Sequence, residues 1–261
     1  MLIPGNRSLF WAGTIMFLAA WGATGCSSNI QNVKKDAGFT GKAVVSGGMV
    51  ALGVVSAVEE ISDAKSSQFA NVLRETIKSD RPGYPLISQS EASQALGEGK
   101  MQALLRQYAA EGSFSKDTLL AISEVVRPRY VAILRVEKDM VESPQWVPQD
   151  EIIERSGEIT SVEAVAVWVD RHMEISAAVY DLKEGRQVFS GLISIWDRAE
   201  KTYPVHTYGV RGDDEDQSLE LEEPKKQEVF LPRGRSYPPP APPRLNIMLP
   251  RAFRAFSEKL P

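Results

Sequence analysis

The spacing of apolar and polar positions changes several times along the 261 residues, and each change predicts an element. Residues 9–26, LFWAGTIMFLAAWGATGC, are apolar up to an exit of small residues. Residues 27–42 are polar and unpatterned. An uncharged stretch follows at 43–58, AVVSGGMVALGVVSAV. It fits a transmembrane helix with small residues as a helix contact, although it is short for one. Its Val-rich second half, 49–57, also fits a buried strand flanked by helices, which reads as a continuous apolar run, and this is the favoured reading. At 62–79, Phe69, Val72, Leu73 and Ile77 fall on one helical face, with Ser62 or Ser66 able to cap it. Pro82, Gly83 and Pro85 end that helix.

The next segments are short. Residues 86–88 predict a strand, 90–96 a capped helix ended by Gly97 and Gly99, and 100–110 a helix with Met101, Leu104, Leu105 and Tyr108 on one side. Another helix opens at Ser115 and runs to Val126, where Arg127 and Pro128 stop it. YVAILRV at 130–136 is the next strand. Residues 138–159, with Pro144, Pro148 and an isolated Trp146, break the pattern and predict a projecting loop or a loose hairpin. From 159 to 180 the alternation is regular: Val165, Val167, Val169, Met173, Ile175 and Val179 share a side to be buried, and Asp170, His172, Glu174 and Ser176 share a wet one. A turn at 181–185 returns the chain as a strand at 187–196, making an antiparallel hairpin. The last apolar spacing, Ile247, Leu249, Phe253, Phe256 and Leu260, predicts a helix that packs back on the sheet.

These elements predict an α/β (α+β) fold: a mixed sheet with helices packed on it, a C-terminal antiparallel hairpin and a closing C-terminal helix. The expected organisation is a signal at 1–25, a tether at 26–42, the α/β domain at 43–200, an acidic and Pro-rich disordered loop at 201–245 and the closing helix at 246–261. The loop reading rests on the acidic run at 213–223, which repels itself, and on the prolines of 231–245, which favour an extended semi-rigid spacer. Because a pre-extended segment loses little entropy on binding, the Pro-rich strip is also a candidate docking strip.

Composition adds an address. Arg7 is the only charge before the first apolar run, which is too short to span a bilayer as a helix, so it reads as a secretory signal that is removed. Ala23-Thr24-Gly25-Cys26 resembles the lipobox of bacterial lipoproteins, in which the cysteine takes a diacylglyceryl group and becomes the new N-terminus. The alternative is an ordinary signal whose cysteine is incidental. The resemblance implies lipidation at Cys26, and Ser27 after it implies the outer membrane with the body facing the periplasm. Cys26 is the only cysteine, so no intramolecular disulfide is available. The formal charge of −4 gives no general attraction to nucleic acid or anionic lipid, which leaves acyl chains as the membrane link.

Catalytic motifs are sparse. The chain has two histidines, His172 and His206, and no Gly-x-Ser-x-Gly elbow, Gly-x-Gly-x-x-Gly or phosphate loop. His172 lies on a charged strand face, and neither histidine has a partner at metal-site spacing. No enzyme activity, metal or cofactor is expected. Trp146, an aromatic in a polar segment, is the candidate partner-binding residue, because such residues often anchor interfaces; the alternative is that it folds back onto the body.

A strand and helix followed by PGYPLISQSEA, two more helices, PRYVAILRV and MEISAAVYDLKEGRQVFSG resemble a group of α/β periplasmic domains. The group is shared by the curli-secretion channel lipoprotein, the lipoprotein activator of penicillin-binding proteins and the amino-terminal domain of the Tol translocation protein. Its pattern of strand, Asp-x-x-x-Gly and strand is matched by Asp181 to Gly185, and the resemblance covers roughly residues 49–198. It implies a non-enzymatic lipoprotein that binds a periplasmic protein partner in an envelope complex. The alternative it permits is an oligomeric export-channel component of the outer membrane.

Overall fold

The structure is a computed structural model that describes residues 28–59, 61–155, 158–204 and 237–261. The predicted signal, Cys26, His206, the acidic run and residues 231–236 of the Pro-rich strip lie outside them. The mixed sheet is built from β1 (Ser28–Lys35), β2 (Met49–Ser56), β3 (Leu86–Ile87), β4 (Tyr130–Val141), β5 (Gln145–Arg155), β6 (Glu158–Asp181) and β7 (Arg186–Pro204). The strand order is β1-β7-β6-β4-β2-β3, with β5 also paired to β6. β2 runs parallel to β3 and β4, and the remaining pairs are antiparallel.

The apolar stretch at 43–58 divides at Gly47 and Gly48. Its first half completes a short helix, α1 (Gly41–Gly47), whose Ala43 N–H donates to the Thr40 hydroxyl at 3.3 Å. Its second half is β2, buried at every position from Met49 to Val55. No helix among the described residues is long and apolar enough to cross a membrane. β2 is continuous in its apolar character because both faces are covered. Met49, Ala51 and Val54 join one core with Phe69, Leu73 and Ile77 of α2 (Asp63–Asp80). Val50, Leu52 and Val55 join a second core with residues of α3 (Gln89–Leu96), α4 (Glu98–Glu111) and α5 (Lys116–Ser123). Gly53 marks a bulge in the β2–β4 pairing at φ +91°, and a Cβ there would sit 2.8 Å from Ala70 Cα and Cβ of α2. Glycine is what lets the helix lie this close.

Several helix starts carry the expected chemistry, shifted by a residue or two. Ser88, expected in the strand, is the cap of α3: Glu91 N–H donates to its hydroxyl, and Ser88 N–H donates to the Glu91 carboxylate at 2.7 Å. These bonds to the ionised form hold the Glu91 carboxyl below its ordinary value. Ser115 caps α5 through Thr118 N–H. Ser62 occupies the start of α2 without a side-chain capping bond. The closing helix is α6 (Leu245–Lys259), whose Phe253 and Phe256 are fully buried. Its end is held by Arg81, whose guanidinium donates to the Glu258 and Leu260 carbonyls at 3.1 and 2.9 Å, a cation placed against unsatisfied carbonyls.

The turn between β6 and β7 explains its Asp-x-x-x-Gly pattern. Asp181, 1% exposed, accepts from Lys183 N–H and Glu184 N–H at 3.0 and 3.2 Å through Oδ1. Its Oδ2 accepts from Arg129 Nε and Nη2 at 2.8 and 2.6 Å. Gly185 closes the turn at φ +63°, its N–H donating to the Asp181 carbonyl at 2.9 Å.

Four expectations are corrected. Residues 26–42, expected to be an unpatterned tether, contain β1, which pairs with β7 from Ser28↔Ile195 to Lys35↔Phe189. An edge strand needs only one pairing side, and β1 shows the polar, bulged character that keeps such an edge from pairing with other chains: Lys34, Lys35 and a register break at Asn32, φ +53°. Ile30 is its anchor, lying where a Cβ on Gly191 would be. Residues 138–159, expected to be a projecting loop or a loose hairpin, are not a loop: β4 continues to Val141, and β5 folds back on β6 as a regular antiparallel hairpin. The last strand does not stop at Trp196 but runs to Pro204. The even-numbered side of β6, expected to be wet, is buried at Ala178 and Tyr180, because α3–α5 cover that face, and at Ala164, Ala166 and Asp170.

Candidate partner-binding arm

β4 and β5 lie end to end along the same side of β6. β4 pairs with its second half, from Val141↔Arg171 to Tyr130↔Asp181, and β5 with its first, from Gln145↔Trp168 to Arg155↔Glu158. β7 pairs on the other side from Ala164↔Pro204 to Asp181↔Arg186. The second half of β6 therefore belongs to the helix-covered sheet. The first half, with β5 and the end of β7, forms a three-stranded arm.

On one face of the arm lies the segment that leads into α6. Trp146 Nε1 donates to the Tyr237 carbonyl at 3.4 Å, Tyr203 Oη to the Pro238 carbonyl at 2.6 Å and Arg171 Nη1 to the Pro243 carbonyl at 2.8 Å. Extended polyproline conformation makes no internal hydrogen bonds, which leaves the Pro238 and Pro243 carbonyls free to accept. The Tyr203 and Tyr237 rings meet edge to face at 5.6 Å, and Lys201 Nζ stands 4.7 Å from the centre of the Tyr203 ring. Asp139 orients Arg171, taking Nε at 2.7 Å, and these bonds raise the guanidinium further above its ordinary value. Trp146 remains 44% exposed. The Pro-rich strip and Trp146, expected separately as contact points, therefore share one surface although Trp146 and Tyr237 are 91 residues apart. Residues 237–244, expected within a disordered loop, line the arm.

The opposite face carries charge. Arg198 donates through Nε and Nη2 to Asp170 Oδ1 and Oδ2, each at 2.8 Å, and its guanidinium lies 4.7 Å over the Trp168 ring. These hydrogen bonds hold the Asp170 carboxyl below its ordinary value against the opposing effect of burial. His172 stacks on Trp196 of β7 at 6.3 Å, and its Nε2 lies 3.0 Å from Glu142 Oε1. His172 thus belongs to a cross-strand polar ladder, and no group of three or more metal-ligating side chains occurs among the described residues.

No protein-family model and no curated protein matches the chain. Solved structures do. The PelC dodecamer from Paraburkholderia phytofirmans is similar at 11% identity and a TM-score of 0.28, covering 64% of this chain and 80% of that one. A single-substitution variant of that dodecamer gives 10% identity and a TM-score of 0.30 over the same shares. At this level of likeness no activity, assembly or address transfers.

The arm was legible in part. Trp146 stands out in the sequence as an aromatic among polar residues, whereas Tyr203 and Tyr237 have no local signal that pairs them.

Proposed function

We propose that the protein is a non-enzymatic, lipid-anchored assembly or regulatory factor of an envelope complex, facing the periplasm from the outer membrane. The membrane address follows from the lipobox-like residues ending at Cys26. The observation that carries the binding role is the meeting of half-exposed Trp146 with Tyr203 and the Pro-rich segment on one arm face. Rigid aromatics beside a pre-extended strip offer contact area at low entropic cost, which suits a protein partner.

The test is intact mass of the protein from its native host together with envelope pull-downs. A mass beginning at Cys26 plus diacylglyceryl and acyl groups, absent from Cys26→Ala, supports the anchor. Loss of a captured envelope protein in Trp146→Ala, with the circular dichroism spectrum retained, supports the arm. An unmodified mass removes the anchor, and an unchanged set of partners removes the arm.

The length of one arm strand permits a second reading, an oligomeric export-channel component. β5 has 11 residues, and about 9–11 suffice for a strand to cross a bilayer. A large ring on sizing the detergent-extracted protein supports this reading, and a monomer or dimer rejects it.

A further inference from the structure

β3 pairs with β2 only at Met49↔Leu86 and Val50↔Ile87. Beyond Val50 no strand among the described residues pairs with β2 on that side. The chain leaves β2 through α2 on one face of the sheet and leaves β3 through α3–α5 on the other, as their separate cores show. Where successive connections diverge to opposite faces, the carboxyl ends of the strands open into a crevice, and in open α/β sheets this is where ligands bind. Here the crevice is a cavity of about 390 Å³ between the starts of α2, α3 and α4, within the size range of small-molecule sites. An adjoining pocket of about 120 Å³ shares Ser66, Gln102 and Leu105 with it and runs along Val54, Val55 and Ser56 of β2.

The crevice is built in two ways. Buried Gln89 donates through Nε2 to the Leu52 carbonyl at 3.1 Å, standing in for the strand that β2 lacks there. Ser66, 8% exposed, lines both the cavity and the pocket, and its Oγ is buried with no hydrogen-bond partner among the described residues. Buried hydroxyls are nearly always bonded, so this orphan marks a position for a group brought from outside.

The lining defines what that group belongs to. Ser66, Ser67 and Ser93 offer hydroxyls and Gln94 an amide, while the Ser90 hydroxyl is bonded to that of Ser88 at 2.9 Å. Each type both donates and accepts. No cation lines the larger cavity, whose one ionisable side chain is Glu98, an arrangement opposed to phosphates and carboxylates there; Arg106 lines only the adjoining pocket. Met101 and Leu105 supply an apolar surface for C–H groups. Because Gln89 already occupies the Leu52 carbonyl, the site suits a compact ligand better than an added strand.

We propose that this crevice binds a neutral saccharide unit, one of whose hydroxyls completes the hydrogen bonding of Ser66. The test is titration of the ¹⁵N-labelled full chain in detergent with N,N′-diacetylchitobiose and with maltose. Saturable amide shifts are expected at Ser66, Ser67 and across residues 89–105. Ser66→Ala removes a hydroxyl that has no partner among the described residues, so it should leave the melting temperature unchanged or raised while weakening binding at least tenfold. Gln94→Ala, at an exposed position, should weaken it about threefold with the fold intact. The proposal is overturned by no saturable shift with either sugar, or by binding that neither variant alters. Tighter binding of inorganic phosphate at these residues, or of N-acetyl-trialanine amide, overturns it in favour of an anion or a peptide.

Discussion

Replacing Asp181 with Ala tests whether one carboxylate ties the β6–β7 turn to the start of β4. The substitution removes two backbone N–H bonds inside the turn and two bonds from Arg129. Each turn bond contributes about 1 kcal/mol. Breaking a fully buried ion pair costs about 3–5 kcal/mol. The Arg129 side chain, however, is 33% exposed and keeps Glu184 Oε1 at 3.1 Å, so solvent screening lowers that part to about 1–2 kcal/mol. The total is about 3–4 kcal/mol, a large share of the about 5–15 kcal/mol of a typical domain. Asp181→Asn retains an acceptor for the turn and loses the charge, and should cost about 1–2 kcal/mol. Arg129→Met combined with Asp181→Asn should cost less than the sum of the singles, since the two side chains share one interaction. Urea unfolding of the full chain, followed by tryptophan fluorescence, reads these differences. An Asp181→Ala loss below about 1 kcal/mol, or equal losses for Ala and Asn, would refute the account of the turn.

Gly53→Ala should cost about 3 kcal/mol or more, since φ +91° strains a side chain and the new Cβ meets Ala70 Cα, Cβ and N at 2.8, 2.8 and 2.9 Å. Adding Ala70→Gly should restore only a part, because two of those atoms are backbone; full recovery in thermal melts would contradict the packing. Asp170 has a lower pKa folded than unfolded, so its pairing with Arg198 stabilises above the unfolded carboxylate value, near 3.8, and that contribution is lost as pH falls through the folded one. Asp170→Asn should therefore lower the urea midpoint at pH 7, by about 1–2 kcal/mol in stability, and flatten its decline below pH 4. An unchanged slope would remove the pair from the acid response.

The most locally coded elements were the most legible. Ser115 and the Pro-Gly-Tyr-Pro break stand within a few residues of the helix ends they control, and Asp181 to Gly185 form a turn from their own backbone and side chains. β2 was readable as a buried strand because cover on both faces leaves an apolar run with no alternation. The arm was only partly readable. Trp146 is conspicuous, but its strand contains a proline and charges that weaken the strand signal, and the partner that orders it comes from β6. The crevice gave no signal, since isolated Ser and Gln residues read as ordinary helix surface.

Sequence by itself determined the α/β class, most of the helices, the β6–β7 hairpin and the closing helix, because apolar periodicity, caps and turn residues act over a few positions. Tertiary structure alone decided that polar residues 28–35 complete the sheet edge, that β5 continues the place of β4, that Trp146 meets Tyr237, and that Ser66 and Gln89 face one crevice. Those outcomes depend on which sheet edges and faces remain open after the helices have packed. Such a choice is made between segments far apart in the chain, by shape and hydrogen-bond satisfaction, and it leaves no periodic trace in either segment.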